Sequence, residues 1–110
     1  MRVGTDIVRV SRMTERIARR ILGEGEKIIY HSLGSDSRRR EFAAGRFAAK
    51  EALIKASGKR GIEFSSIQFL MNEDGSPEPS KEVIALLDGA DITVSISHEK
   101  EYAVAVIIVF

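Results

Sequence analysis

Residues 42–57, FAAGRFAAKEALIKAS, constrain the fold more than any other stretch of the chain. Placed on a helix at roughly 100° per residue, Phe42, Ala49, Leu53 and Ala56 fall along one line and form a core face. The opposite side is not plainly polar. Glu51 lies there among Ala44, Ala48 and Lys55, with Phe47 and Ile54 on its flanks. A helix that is apolar nearly all round is normally covered on more than one side. Arg46 falls close to the apolar stripe, an unusual place for an arginine. Ser35 or Asp36 can cap the start of this helix, which runs to about Ser57, and Gly58 ends it.

The other segments supply what could cover it. Residues 2–8 read as a short strand, and 91–97 and 101–109 as two strands joined by HEK. In the first of that pair Ile92, Val94 and Ile96 alternate with Thr93, Ser95 and Ser97, so one face is apolar and the other polar. Helical spacing appears over 11–22, with Ser11 as a cap, and short helices fit 26–33 and 80–88. Residues 65–71 read as a strand, and NEDGSPEP after it as a turn holding both prolines. The order strand, helices, strand, helix, hairpin predicts an α+β fold, an antiparallel sheet packed on a long helix and shorter helices. The whole of residues 1–110 suits a single domain.

Composition narrows the function classes. The chain has no cysteine, which excludes disulfides and thiolate metal sites and favours a reducing, cytoplasmic setting. The opening MRVGTDIVRV is too short and too charged to read as a signal sequence. No run approaches the roughly 20 apolar residues of a membrane span. The net charge of +1 hides an asymmetry. Residues 1–60 carry 15 Lys and Arg against 7 Asp and Glu, or +8; residues 61–110 carry 2 against 9, or −7. That split points to an anionic partner for the first half, or to attraction between the halves. Arg38–Arg39–Arg40 and the basic first helix would also suit a nucleic acid. Aromatics amount to only 6%, no stacking motif is present and the second half is acidic, all of which argues against that reading.

Three places in the chain carry the candidate chemistry, the first of them a pair of residues. Glu51 and Lys55 form an i,i+4 pair, which on a solvated face would be an ordinary ion pair. Asp6 interrupts an apolar strand just after Gly4, where strands disfavour aspartate. It either ends the strand or projects a carboxylate towards the helix. Two carboxylates on two rigid elements suit Mg²⁺, which takes one or two of them and fills its shell with water and substrate phosphate. Arg46, Lys50 and Lys55 would suit the phosphate. His98 in SISHEKEYA is either a polar turn residue or a group for phosphate binding or proton transfer. His31, within IIYHSL, has no accompanying motif and reads as structural or surface.

An N-terminal G-T-D-I-V, then RFAAKEALIKASG, then G-S-P, then S-I-S-H occur in this order over nearly the whole chain. The pattern resembles the holo-acyl-carrier-protein synthases, the short type of 4′-phosphopantetheinyl transferase. The resemblance implies that fold and an enzyme that moves the phosphopantetheine arm of coenzyme A to a serine of apo acyl carrier protein. Mg²⁺ dependence, release of 3′,5′-ADP and a role in fatty acid biosynthesis come with it. By motif match Asp6 and Glu51 are metal ligands and Lys55 a phosphate contact. Arg46, Lys50, Gly58, Pro77, Ser97 and His98 are matched to coenzyme A binding. Glu51, a metal-bound water and Lys50 each remain open as the base for the serine hydroxyl. Arg12 matches the docking position for the acidic carrier protein. A homotrimer with sites at subunit junctions is also implied, in keeping with a domain too small to enclose coenzyme A.

Overall fold

In the computed structural model, which describes residues 1–110, the 22-residue helix Asp36–Ser57 (α3) is the spine. Ser35 caps it, its hydroxyl accepting from Arg38 N at 3.2 Å. Gly58 closes it in the left-handed conformation at φ 70°. Ahead of it come the strand Arg2–Arg9 (β1), a 3-10 turn at Val10–Arg12, and the helices Glu15–Ile21 (α1) and Glu24–Ser32 (α2). Behind it come a 3-10 turn at Phe64–Ser66 and the short strands Phe69–Met71 (β2) and Pro77–Pro79 (β3). The helix Lys81–Leu86 (α4) and the strands Ile92–His98 (β4) and Tyr102–Val109 (β5) complete the chain. No helix is long and apolar enough to cross a membrane.

The main sheet is antiparallel, in the order β1-β5-β4, with Asp6 opposite Ala105 and Ala105 opposite Ile96. Ala103, Ala105 and Ile107 of β5 are fully buried against α3, along with Ala43, Ala44, Ala48, Ala49, Ala52 and Leu53 of the helix. Small residues on both surfaces let the helix lie directly on the sheet. Its path is diagonal. A Cβ on Gly45 would stand 2.9 Å from Ile96 of β4, whereas a Cβ on Gly4 of β1 would meet the Ala52 carbonyl oxygen at 1.9 Å. The helix therefore enters over the β4 edge and leaves over the β1 edge. On its other side α1 and α2 pack against it and Arg46 bonds to the carbonyls of β2, so the second covered face predicted from the sequence is present.

Three local readings change. The segment 11–22 is not one helix: a 3-10 turn comes first, and α1 starts after Thr14, whose hydroxyl rather than that of Ser11 accepts from Ile17 N. Residues 65–71 are strand only from Phe69, because Ser66 Oγ donates to Glu63 O at 2.7 Å and the backbone closes a 3-10 turn instead. NEDGSPEP is a turn followed by β3, which pairs with β2 in a two-stranded sheet. Prolines are tolerated there because an edge strand leaves the missing N–H facing outward.

The sheet face turned away from α3 has no cover within the chain. Val3 and Ile7 of β1 are exposed, and Val104, Val106 and Ile108 of β5 are half-buried beside them.

Gly4→Ala drives a methyl group into the Ala52 carbonyl. Stability is expected to fall by about 1–3 kcal/mol as β1 and α3 are pushed apart. Urea unfolding measures it, and an unchanged midpoint contradicts this packing.

Candidate active site

The diagonal course of α3 separates the candidate residues into two groups. At the β1 edge, Lys55 Nζ donates to Thr5 O at 3.0 Å and to Asp6 Oδ1 at 3.1 Å. Asp6 is half-buried and Lys55 exposed. Glu51 lies one helical turn before Lys55 on the same face, half-buried and without an ion-pair partner. One carboxylate, Asp6, thus meets the Lys55 ammonium, as its projection towards the helix predicts, and a second lies one turn back along α3. No group of three His, Cys, Asp or Glu side chains stands together anywhere in the fold. A metal held here would draw at most two protein carboxylates.

At the β4 edge, a cavity of about 300 Å³ opens between the first half of α3, the β2–β3 hairpin and the end of β4. Arg38, Glu41, Arg46, Gly75, Pro77 and His98 are among its lining residues. Arg46 is buried at 6% exposure, its guanidinium 4.3 Å from the centre of the Phe42 ring. It donates to the carbonyls of Phe69 and Leu70, both at 2.8 Å. Burial pushes its pKa down to about 10, against the pull of Glu26, so it stays cationic at neutral pH. This explains an arginine beside the apolar stripe: it ties α3 to β2 while lining the cavity. The His98 ring pairs with Glu41, Nδ1 to Oε1 at 2.8 Å. Between Glu41 and Lys55 the helix rises roughly 21 Å at 1.5 Å per residue. Asp6, Glu51 and Lys55 do not line the cavity.

Several predicted site residues stand elsewhere. Lys50 has no exposed surface. Its Nζ donates to Glu26 Oε1 at 2.6 Å, Ile21 O at 2.6 Å and Phe64 O at 2.8 Å, using all three protons. Burial lowers its pKa, opposed by the charge and hydrogen bond of Glu26. With no path to solvent it can neither touch a phosphate nor act as the base, which corrects both expectations. It joins the end of α1, the start of α2 and the turn before β2. Ser97 is turned away from His98, because strand alternation sends neighbouring side chains to opposite faces. It does not line the cavity. Gly58 serves as the left-handed cap of α3. The three arginines 38–40 do not form one surface: Arg38 lines the cavity, and Arg39 is half-buried and bonded to Leu33 O and Asp36. Arg12 is exposed on the 3-10 turn, beside exposed Arg16, Arg19 and Arg20 of α1.

Glu41 and Glu26 were absent from the predicted site. Glu26 lies 24 residues from Lys50 and Glu41 lies 57 from His98, distances at which no periodicity connects them. The one local sign was Gly45, a glycine within an alanine-rich helix, one turn after Glu41.

Residues 2–107 match the 4′-phosphopantetheinyl transferase superfamily. The chain belongs to that superfamily. It is similar to the holo-[acyl-carrier-protein] synthase of Petrotoga mobilis, 41% identical over 97% of this chain and 93% of that protein. A holo-(acyl-carrier-protein) synthase from Bacillus anthracis, solved in complex with CoA (3′,5′-ADP), superposes with a TM-score of 0.80 at 35% identity, covering 98% of this chain and 94% of that one. The synthase of Neisseria meningitidis superposes at 0.83 with 29% identity, covering 99% and 97%. The α+β architecture read from the sequence is thus that of the transferase family, and this chain is a phosphopantetheinyl transferase.

Lys50→Met strands the Glu26 carboxylate in the interior. The expected loss is about 3–5 kcal/mol, part of it recovered by adding Glu26→Gln. Denaturant unfolding measures both, and a Lys50→Met protein within about 1 kcal/mol of wild type would show the pair to be no more than a surface contact.

Proposed function

We propose that the chain transfers the 4′-phosphopantetheine group of coenzyme A to a serine of an acyl carrier protein, with Mg²⁺, and that its working form is a homotrimer with sites between subunits. The observation that carries the reading is the Asp6–Lys55–Glu51 constellation, in a chain similar over nearly all its length to named synthases.

The residues present fit Mg²⁺. Asp6 already holds a cationic partner, Lys55 Nζ, so its surroundings favour positive charge. Glu51 brings a second carboxylate without a competing partner. Asp6 and Glu51 would hold the ion, which takes its other partners from water and substrate phosphate. Bound there, it would supply charge neutralisation at the pyrophosphate.

The chain's own part is binding and orientation. Lys55 is exposed at its tip and anchored at Thr5 O, so it can turn from Asp6 to a phosphate oxygen as a mobile point charge. The serine hydroxyl attacks the β-phosphorus, the P–O bond to the nucleotide breaks, and 3′,5′-ADP leaves. With Lys50 enclosed, the serine proton passes to Glu51 or to water. Arg38, Arg46 and His98 around the cavity at the β4 edge suit the nucleotide end of coenzyme A.

From Glu41, which holds His98, to Glu51 the helix rises roughly 15 Å at 1.5 Å per residue, too far for these residues of one chain to meet at a single compact reacting centre. A second copy brings its cavity to the Asp6 edge of the first. The uncovered apolar face of the sheet, with Val3, Ile7, Val104, Val106 and Ile108, suits burial between such copies. Exposed Arg12 and the basic face of α1 suit an acidic carrier protein, by attraction that mainly raises the association rate. Supply of holo carrier protein to fatty acid synthesis in the cytoplasm follows as the physiological role.

Incubation with coenzyme A, apo acyl carrier protein and Mg²⁺, followed by intact mass spectrometry of the carrier, is expected to show one added phosphopantetheine. Glu51→Gln should keep the fold and lose at least about a hundredfold in turnover, as for loss of a preorganised electrostatic group. No mass shift with folded wild type, or near-normal turnover in the variant, contradicts the proposal.

A further inference from the structure

His98 makes one side-chain hydrogen bond, to Glu41. A carboxylate can only accept, so whether the ring is neutral or charged, Nδ1 carries a proton and Nε2 is the nitrogen left for a ligand. Glu41 is also the only acidic residue among those lining the cavity. Its neighbours there include Arg38 and Arg46, which would attract an anion, whereas a free carboxylate would repel one. The interaction with His98 directs one oxygen of that carboxylate to the ring instead.

The local backbone supports a built arrangement. Glu41 is half-buried, with its side chain 21% exposed, on the first half of α3. Gly45, one turn later, has no side chain, and a Cβ there would press on Ile96 and touch the His98 ring at 4.0 Å. The helix surface is thus hollowed at the point where the end of β4 crosses it, and the ring rests in that hollow with Nδ1 towards Glu41.

We propose that Glu41 is a positioning residue for coenzyme A binding: it holds the His98 imidazole in the form with the proton on Nδ1 and presents Nε2 to the nucleotide end of the substrate. This rests on reading the cavity as the nucleotide pocket. Glu41 acts through His98 and makes no contact of its own with the reacting atoms. A hydrogen bond from a carboxylate to a ring nitrogen is the usual means of fixing an imidazole's tautomer and orientation.

Two measurements test it. Nitrogen-15 NMR of the imidazole, at a pH where the ring is neutral, is expected to find the proton of His98 on Nδ1 in wild type and in Glu41→Gln, whose amide oxygen can still accept. In Glu41→Ala, a change that keeps a strong helix former at this half-buried position, that preference is lost. Calorimetry with 3′,5′-ADP is expected to show Glu41→Ala and His98→Ala each weakening binding roughly tenfold, the scale of one charge-assisted hydrogen bond. The double variant should be no weaker than His98→Ala alone, because the two residues act as one unit. An unchanged tautomer in Glu41→Ala, wild-type affinity in that variant, or additive losses in the double variant overturns the role of Glu41. If wild type binds no 3′,5′-ADP, the reading of the cavity fails instead, and the NMR comparison still judges whether Glu41 sets the ring.

Discussion

Helix α3 can lie directly on the sheet only because small residues line both surfaces. Gly4 gives the Ala52 carbonyl room, Ala103 and Ala105 keep β5 low, and the buried alanines of the helix leave little side chain between. Close approach fixes the helix at two points on opposite edges of the sheet, near Ile96 and near Gly4. Everything assigned to chemistry hangs from this one rod. The Asp6 carboxylate meets Lys55 near its end, and Glu41 meets His98 near its beginning. A rigid helix anchored at both edges holds each group in place at its own edge of the sheet.

The other side of the rod is set by a buried charge pair. Lys50 and Glu26 are both without exposed surface, and every donor of the lysine is used. Glu26 also accepts from the backbone N–H of Gly23 and of Phe69, so one carboxylate joins two helices and β2. Such a pair is poor at adding net stability but is costly to break by halves. Its position explains its use. With Arg46 bonded to Phe69 O and Leu70 O, it fixes the base of the hairpin that carries Gly75 and Pro77 to the cavity wall.

Much of this was legible in the sequence, and the gaps have physical causes. The long helix, its Ser35 and Gly58 ends, the closing hairpin and the need for two covered faces follow from local periodicity and capping chemistry. So does the Asp6 anomaly, because a carboxylate inside an apolar strand calls for a partner. Lys50 was assigned to the phosphate or the base through its place beside Glu51 in the motif; its partner lies on another helix, and spacing along one helix cannot reveal it. Ser97 was grouped with His98 through the S-I-S-H motif match, whereas a strand turns adjacent side chains to opposite faces. The proline-rich strand β3 escaped because proline marks turns more often than edges. Motif order placed the expected metal pair and the cavity residues in one reaction, and it carried no information about which edge of the sheet each would meet.

The central proposal is that one reaction site draws its halves from two copies of the chain. Mixing two variants tests it most directly: Glu51→Gln, which lacks the proposed metal half, and His98→Ala combined with Arg38→Ala, which lacks the proposed cavity half. After dissociation and joint refolding, a random trimer has an intact pair of halves at roughly one junction in four, so about a quarter of wild-type turnover should return. If each chain holds a complete site of its own, the mixture will be no more active than the two variants assayed apart.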